Sequence, residues 1–202
     1  MMLDLKRLID ILISSIGIIL LSPLLISICC IVFFFDGRPI FFIQRRPGVE
    51  GKIFRMIKFR TMKESTGNDS DKDRITKVGN FLRSSSIDEL PELFNVLLGE
   101  MSIVGPRPLL IEYLDLYDDY QFRRHEIRPG ITGWAQINGR NALEWEEKFK
   151  LDVWYVDNNS ITLDIKIILK TLSSVILRKN ISFQGEVTMK KFEGRLKNVN
   201  EE

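Results

Sequence analysis

Residues 8–35 read LIDILISSIGIILLSPLLISICCIVFFF, an apolar run carrying a single charge, Asp10. No polar face recurs at helical spacing, so the run does not read as the surface helix of a globular core. It is too long for the apolar core of a signal peptide, and it ends in Phe33-Phe34-Phe35 rather than a small-residue cleavage site. About 20 apolar residues suffice to span a bilayer. Ser22-Pro23 falls near the middle, however, and proline removes a backbone donor, so a sharp bend is expected there. Each arm is then roughly 13 residues, about 20 Å at 1.5 Å per residue. That is shorter than a ~30 Å hydrocarbon core. Lys6 and Arg7 precede the run; Arg38, Arg45 and Arg46 follow it. The preference of Lys and Arg for the cytoplasmic side draws both ends to one face. A helix that enters, turns and leaves on the same side satisfies both constraints; a proline-kinked spanning helix is the alternative.

Downstream the pattern changes. DGRPIFFIQRRPG reads as turn, short strand and turn, and GKIFRMIKFRTM alternates as a strand with Lys58 and Arg60 at its trailing end. The polar stretch Glu64 to Arg74 reads as an exposed loop. TKVGNFLRSSS is a short helix ending near the serines, and IDELPELFNVLLG is a helix closed by Gly99. EMSIVGPRPLL is a strand entering a rigid Pro-Arg-Pro turn. LDLYDDYQFRRHEIRPG predicts a helix stopped by Pro129-Gly130, and ITGWAQINGRN a glycine-punctuated active-site loop. ALEWEEKFKLDVWYVDN is an amphipathic helix. ITLDIKIILKTLSSVILRK is a second, with Lys166, Lys170, Arg178 and Lys179, suited to packing on the domain or to the membrane interface. No internal repeat is visible.

Composition removes several chemistries. A net charge of +2 gives no case for nucleic acid. Cys29 and Cys30 are adjacent within the apolar run and have neither disulfide nor zinc spacing. His125 is the only histidine, which disfavours a His-based metal site or triad. Carboxylates remain as metal ligands, and they favour hard cations such as Mg²⁺.

The pair Asp88-Glu89 carries the most chemistry. Ser86-x-x-Glu89 matches a capping box, and acids at a helix start suit the dipole, so a purely structural role is one reading. The other is catalytic. Arg83 lies just upstream and Arg107 just downstream, and a helix N-terminus favours phosphate. A carboxylate can attack phosphorus to give an acyl-phosphate if cations offset the charge repulsion. Pro106 and Pro108 restrict the backbone around Arg107, as a preorganised clamp requires. Arg140, Arg123, Arg124 and Arg128 are further phosphate candidates. Asp69-Ser70-Asp71 and Asp71-Lys72-Asp73 resemble the D-x-D metal signature of nucleotide-sugar glycosyltransferases, in a polar loop with no strand before it. Trp134, Trp145, Trp154 and Tyr155 are candidates for stacking on a base or sugar, with core packing as the alternative.

RSSSIDELPELFNVLLGEMSIVGPRPLL followed by RPGITGWAQINGRN resembles the bacterial sugar transferase family, the monotopic phosphoglycosyl transferases. The match runs back through KIFRMIKFRTM and FIQRRPG to Ser22-Pro23, in the same order. The resemblance implies a mostly helical α+β protein: a re-entrant membrane helix over residues 1–36, bent at Ser22-Pro23, and a cytosolic catalytic domain over 37–202. That domain would have short strands and interfacial amphipathic helices, and residues 196–202 would be a disordered tail. It implies a Mg²⁺-dependent enzyme at the cytoplasmic face of the bacterial inner membrane. A phosphosugar would pass from a UDP-sugar to polyprenyl (undecaprenyl) phosphate, releasing UMP. Asp88 would be the nucleophile and Glu89 the Mg²⁺ ligand, with Lys58, Arg83, Arg107 and Arg140 on phosphate and Asp152 as a supporting acid. The ending VTMKKFEG resembles compact members that begin glycan assembly for protein N-glycosylation, implying a UDP-diacetamido-bacillosamine or other UDP-N-acetylhexosamine donor. The competing readings are a direct glycosyltransferase using the Asp69–Asp71 loop, and a membrane-anchored scaffold without activity.

Overall fold

The computed structural model describes residues 2–64, 67, 70–139, 143–177 and 191–194. Asp69, Arg140, Arg178, Lys179 and the tail 196–202 lie outside these. The fold is mostly helical α+β. A long apolar helix, α1 (Met2–Asp36), is followed by an antiparallel pair, β1 (Phe41–Pro47) and β2 (Ile53–Phe59). Then come α2 (Asp71–Arg74), α3 (Lys77–Ser84) and α4 (Glu92–Leu98). Two short parallel strands, β3 (Ser102–Val104) and β4 (Gly130–Thr132), form a second sheet. Between them lies α5 (Asp119–Phe122), and after them α6 (Trp134–Ile137), α7 (Trp145–Asn158) and α8 (Ile161–Ile176).

α1 is long and apolar enough to cross a membrane, and only 17% of its most apolar stretch is buried against the rest of the chain. The chain stays helical through Ser22-Pro23, the point of the expected bend. The reason is local. Proline leaves the carbonyl of Ile19 without its helical donor, and the Ser22 hydroxyl donates to that carbonyl at 2.8 Å. Both ends of α1 pack on the remainder of the protein. Near its start, Arg7 donates to the carbonyls of Val96 (2.6 Å) and Leu97 (2.9 Å), capping the last turn of α4. Asp10, buried, accepts from the Ser102 hydroxyl and the Ile103 amide. Near its end, Leu25, Ile28 and Val32 share a core cluster with Phe59 and Leu82.

One residue clamps α4 to β2. With β1 on its other side, β2 has a free edge, and the side chain of Asn95 occupies it as a short strand would. Asn95 Oδ1 accepts from the Ile57 amide at 3.1 Å and Nδ2 donates to the Arg55 carbonyl at 2.7 Å. Phe54, Met56 and Lys58 alternate onto one face of β2, so this clamp sets α4 beside Lys58.

Four local expectations are corrected. Ser86 is not a capping residue: its φ is +56° and its side chain makes no cap hydrogen bond, because the chain turns sharply from α3 into a tight 3-10 turn, Ile87–Glu89. The segment LDLYDDYQFRRH is not one helix. It divides into 3-10 turns at Ile111–Leu116 and Arg123–His125 around α5, where Asp118 supplies a capping box that restarts the helix. ITGWAQI is not a loop but β4 and α6; a Cβ on Gly130 would lie 2.0 Å from the Gly105 nitrogen, so glycine there permits close strand approach rather than a loop. The polar stretch before Arg74 contains α2, capped by Ser70.

Asn95→Leu removes both edge contacts while keeping the branched side-chain skeleton. It is expected to cost about 2–4 kcal/mol, because two backbone groups lose their partners. Denaturant unfolding in detergent measures this, and an unchanged midpoint would show that the edge is not held by Asn95.

Candidate active site

The 3-10 turn that carries Asp88 and Glu89 sits between α3 and α4, facing β2 and the turn after β3. Glu89 is the meeting point. Lys58 Nζ on β2 donates to its Oε1 at 2.6 Å. Arg107, from the Pro-Arg-Pro turn, donates through Nη2 to the same oxygen and lies 3.4 Å from Oε2 through Nη1. Burial pushes the Glu89 carboxyl up, but the charges of Arg107 and Lys58 outweigh it and hold the group well below the usual range. Glu89 therefore stays ionised across the physiological range.

Asp88 is in a different state. No hydrogen bond or ion pair reaches its carboxylate from the described residues. Burial first, then repulsion from Glu89, push it up to about 6, against the pull of Lys58, Arg107 and Arg83. Two adjacent carboxylates thus have divided properties, one locked in ion pairs and one free. Arg83 is held by its Nε bond to the Thr61 hydroxyl at 3.0 Å and contributes to the field at Asp88.

Two residues join this site without having been singled out from sequence. Glu92, in the first turn of α4, is buried; its Oε1 lies 3.1 Å from Lys58 Nζ but is not aligned as a hydrogen bond. Burial and the neighbouring Glu89 push it up to about 7. The signal was the i, i+3 spacing of Glu89 and Glu92, which places both on one side of the turn. Arg46, counted only as a flanking charge, is lowered to about 10 by burial and by Arg107 and feels the charges of Glu112 and Glu92.

The remaining candidates separate cleanly. Asp152 on α7 does not touch the dyad. It pairs with Arg124, the two side chains being 2% and 1% exposed, through bonds of 2.8 and 3.1 Å. The same Arg124 Nη2 donates to the backbone carbonyl of Arg107 at 2.7 Å. Arg124 is therefore not a phosphate contact but a brace: Asp152 fixes Arg124, which fixes the turn that aims Arg107. Arg123 is exposed and paired with Asp157 and Glu126, and Arg128 donates to the Gly99 carbonyl at the end of α4. Of the aromatic candidates, Tyr155 is buried, Trp145 packs with Tyr113 and Phe149, and Trp134 and Trp154 stack on each other at 4.8 Å. Arg140 and Asp69 lie outside the described residues.

A divalent cation fits the donor chemistry. Asp88 and Glu89 are hard oxygen donors, and Mg²⁺ is usually bound by one or two carboxylates together with substrate phosphates rather than by an all-protein cage. Among the described residues there is no cluster of three or more potential His, Cys, Asp or Glu ligands.

Asp152→Ala strips the partner from a fully buried guanidinium and is expected to destabilise the protein by about 3–5 kcal/mol. Arg123→Ala, at an exposed ion pair, is expected to leave the melting temperature unchanged. Comparing the two melts tests the distinction, and equal shifts would contradict it.

Comparison with known proteins gives the family of the chain. The family described as bacterial sugar transferase matches residues 2–178. A protein of Bacillus subtilis (strain 168) named uncharacterized sugar transferase EpsL is 50% identical over 194 residues, covering 94% of this chain and 96% of that one. The exopolysaccharide production protein ExoY of Sinorhizobium fredii is 40% identical, covering 86% of each. The UDP-glucose:undecaprenyl-phosphate glucose-1-phosphate transferase of Klebsiella pneumoniae is 43% identical over 87% of this chain, which spans 41% of that longer protein. The matched stretch takes in α1, the Asp88-Glu89 turn, the Arg107 turn and α8, and the chain belongs to the bacterial sugar transferase family.

Proposed function

We propose that this protein transfers a phosphosugar from a UDP-sugar to polyprenyl phosphate at the cytoplasmic face of a bacterial membrane. The products would be UMP and a polyprenyl-diphosphate-sugar. The observation that carries this reading is the division within the acid pair: Asp88 free and poised near neutrality, Glu89 fixed between Lys58 and Arg107. Named relatives act on UDP-glucose and undecaprenyl phosphate, which supports the reaction class.

The chemistry then runs in two steps. The Asp88 carboxylate attacks the sugar-bearing phosphorus, the bond to UMP breaks, and UMP leaves with that electron pair. The result is an acyl-phosphate on Asp88. The phosphate oxygen of the polyprenyl acceptor next attacks the same phosphorus and releases the Asp88 carboxylate. Arg107 and Lys58 offset charge on the diphosphate, with Arg83 adding to the field and Arg140 proposed alongside them. Mg²⁺, held by Glu89 with Asp88 adjacent, would neutralise phosphate charge. Asp152 acts through Arg124 to keep Arg107 aimed.

The membrane helix is proposed to be re-entrant. Support comes from packing: Arg7 and Asp10 near its start and Leu25, Ile28 and Val32 near its end touch the same domain. Contacts from both ends to one domain favour a helix whose ends lie on one side of the bilayer. In such an arrangement Asp88 would lie at headgroup height, where a lipid phosphate lies.

For the donor, the named substrate among these relatives is UDP-glucose. The diacetamido sugar and a role in protein N-glycosylation rest on the ending VTMKKFEG. Of that ending, Phe192 is a buried packing residue against Tyr113 and Phe149. The donor is therefore a matter for a panel of UDP-hexoses and UDP-N-acetylhexosamines. A direct glycosyltransferase using Asp69–Asp71 would release UDP instead. The scaffold reading needs the acid pair to serve as a cap, yet Ser86 makes no cap hydrogen bond.

With Mg²⁺, polyprenyl phosphate and that panel, UMP is expected from one donor. Asp88→Asn should cut turnover at least ~1,000-fold while leaving membrane association intact. UDP release, or a near-normal rate in the variant, would contradict the reading. Because Asp88 must be ionised to attack and is pushed up to about 6, kcat/KM is expected to rise with pH through about 6 and then level. A flat profile between pH 5 and 8, values taken as roughly bracketing that titration, would count against Asp88 as nucleophile.

A further inference from the structure

A cavity of about 270 Å³ lies away from the acid pair, between the first turns of α1, β3 and α8. Its walls are branched and apolar: Ile9 and Ile13 from α1, Ile103 and Val104 from β3, Ile165 and Ile168 from α8. The polar groups at its edge are already committed. Lys6 is paired with Asp164, Asp164 also accepts from the Tyr155 hydroxyl, and Asp10 accepts from β3. These polar groups engage their neighbours at one edge, and the branched apolar walls favour hydrocarbon over a sugar.

The flanks of the cavity are apolar as well. Leu12 and Ile16 on α1 are 51% and 55% exposed, and Leu169 and Leu172 on α8 are 62% and 55% exposed. The helices that enclose the cavity therefore present hydrocarbon to their surroundings. The far wall leads the other way. Val104 ends β3, and Arg107 follows three residues later, at most about 10 Å along extended chain.

We propose that this cavity holds the first units of the isoprenoid chain of the acceptor, with its phosphate directed at Arg107 and Asp88. This rests on the acceptor assigned above. The size is right for a chain segment: an apolar cavity of ~150 Å³ holds a benzene ring, so 270 Å³ takes about two isoprene units. The short span from Val104 to Arg107 selects among lipids. In a polyprenyl phosphate the phosphate ester joins the chain directly, whereas in a phospholipid a glycerol and ester linkages intervene.

The test uses the full chain in phosphatidylcholine nanodiscs. Ile13→Trp and Ile165→Trp fill the cavity from partly exposed positions, and Leu172→Trp adds the same bulk on the outer face of α8. Two rates are compared: acceptor-dependent turnover, and exchange of labelled UMP into UDP-sugar without acceptor. The cavity variants are expected to lower the ratio of turnover to exchange about tenfold, through a raised KM for polyprenyl phosphate. Leu172→Trp leaves that ratio unchanged. An unchanged ratio in both cavity variants, or the same loss in Leu172→Trp, overturns the proposal. Photo-crosslinking with a benzophenone-bearing polyprenyl phosphate decides the cavity without any turnover. Labelling of the segments around Ile13 and Ile165, competed by unlabelled polyprenyl phosphate, supports it. Labelling by a benzophenone phospholipid that polyprenyl phosphate does not displace overturns it. If the wild type releases no UMP from any donor, the reaction assignment fails, and the crosslinks still report on the cavity.

Discussion

The ion-paired carboxylate of Glu89 is the constraint on which the rest of the site depends. It draws Lys58, 31 residues upstream, and Arg107, 18 residues downstream, onto one point. Without it, two cations would face each other in a half-buried space. With it, the cations are held together beside the acid turn, and Asp88, its neighbour in the chain, has no ion-pair partner among the described residues. The fold supports that point from both sides. Asn95 clamps α4 to the free edge of β2, and Arg124, seated on Asp152, grips the backbone of Arg107. The separation of the two acids into a fixed charge and a carboxylate outside any ion pair among the described residues follows from these contacts rather than from their sequence order.

The apolar helix belongs to the same structure. Its first turns cap α4 and bond to β3, and its later turns fill the core around Phe59 and Leu82. The apolar helix and the candidate site are therefore packed together: α1 caps α4, and α4 carries Glu92 and abuts the acid turn. This linkage explains why an enzyme with a lipid substrate would use an integral helix rather than a detachable anchor.

Much of this could be read from the chain, and the failures share a cause. The long apolar helix, the strand ending at Lys58, the glycine-closed helix before Gly99 and the two C-terminal helices are legible because each declares itself by local periodicity or punctuation. The meeting of Arg107 with the Asp88-Glu89 turn was anticipated from residue type and the rigid Pro-Arg-Pro turn. What was not legible depended on long-range contact. Ser86 looked like a cap because Ser-x-x-Glu has that pattern, but Glu89 is claimed by Lys58 and Arg107 instead. Arg124 looked like one surface arginine among several, and only the fold buries it against Asp152. Glu92 reads as an ordinary helix-start acid until β2 brings Lys58 beneath it. ITGWAQI read as a loop because Gly133 suggested freedom, whereas a Cβ there would lie 2.2 Å from the Gly105 carbonyl oxygen, so this glycine serves close packing.

The central claim is that Asp88 attacks phosphorus and carries the phosphosugar. The direct measurement is the intact mass of the purified protein after mixing with its UDP-sugar and Mg²⁺ in the absence of any lipid acceptor, followed by peptide mapping. The account predicts a mass increase equal to one phosphosugar, on the peptide containing Asp88, matched by release of UMP and discharged on adding polyprenyl phosphate. UMP appearing only when acceptor is present, with the protein mass unchanged throughout, would contradict it.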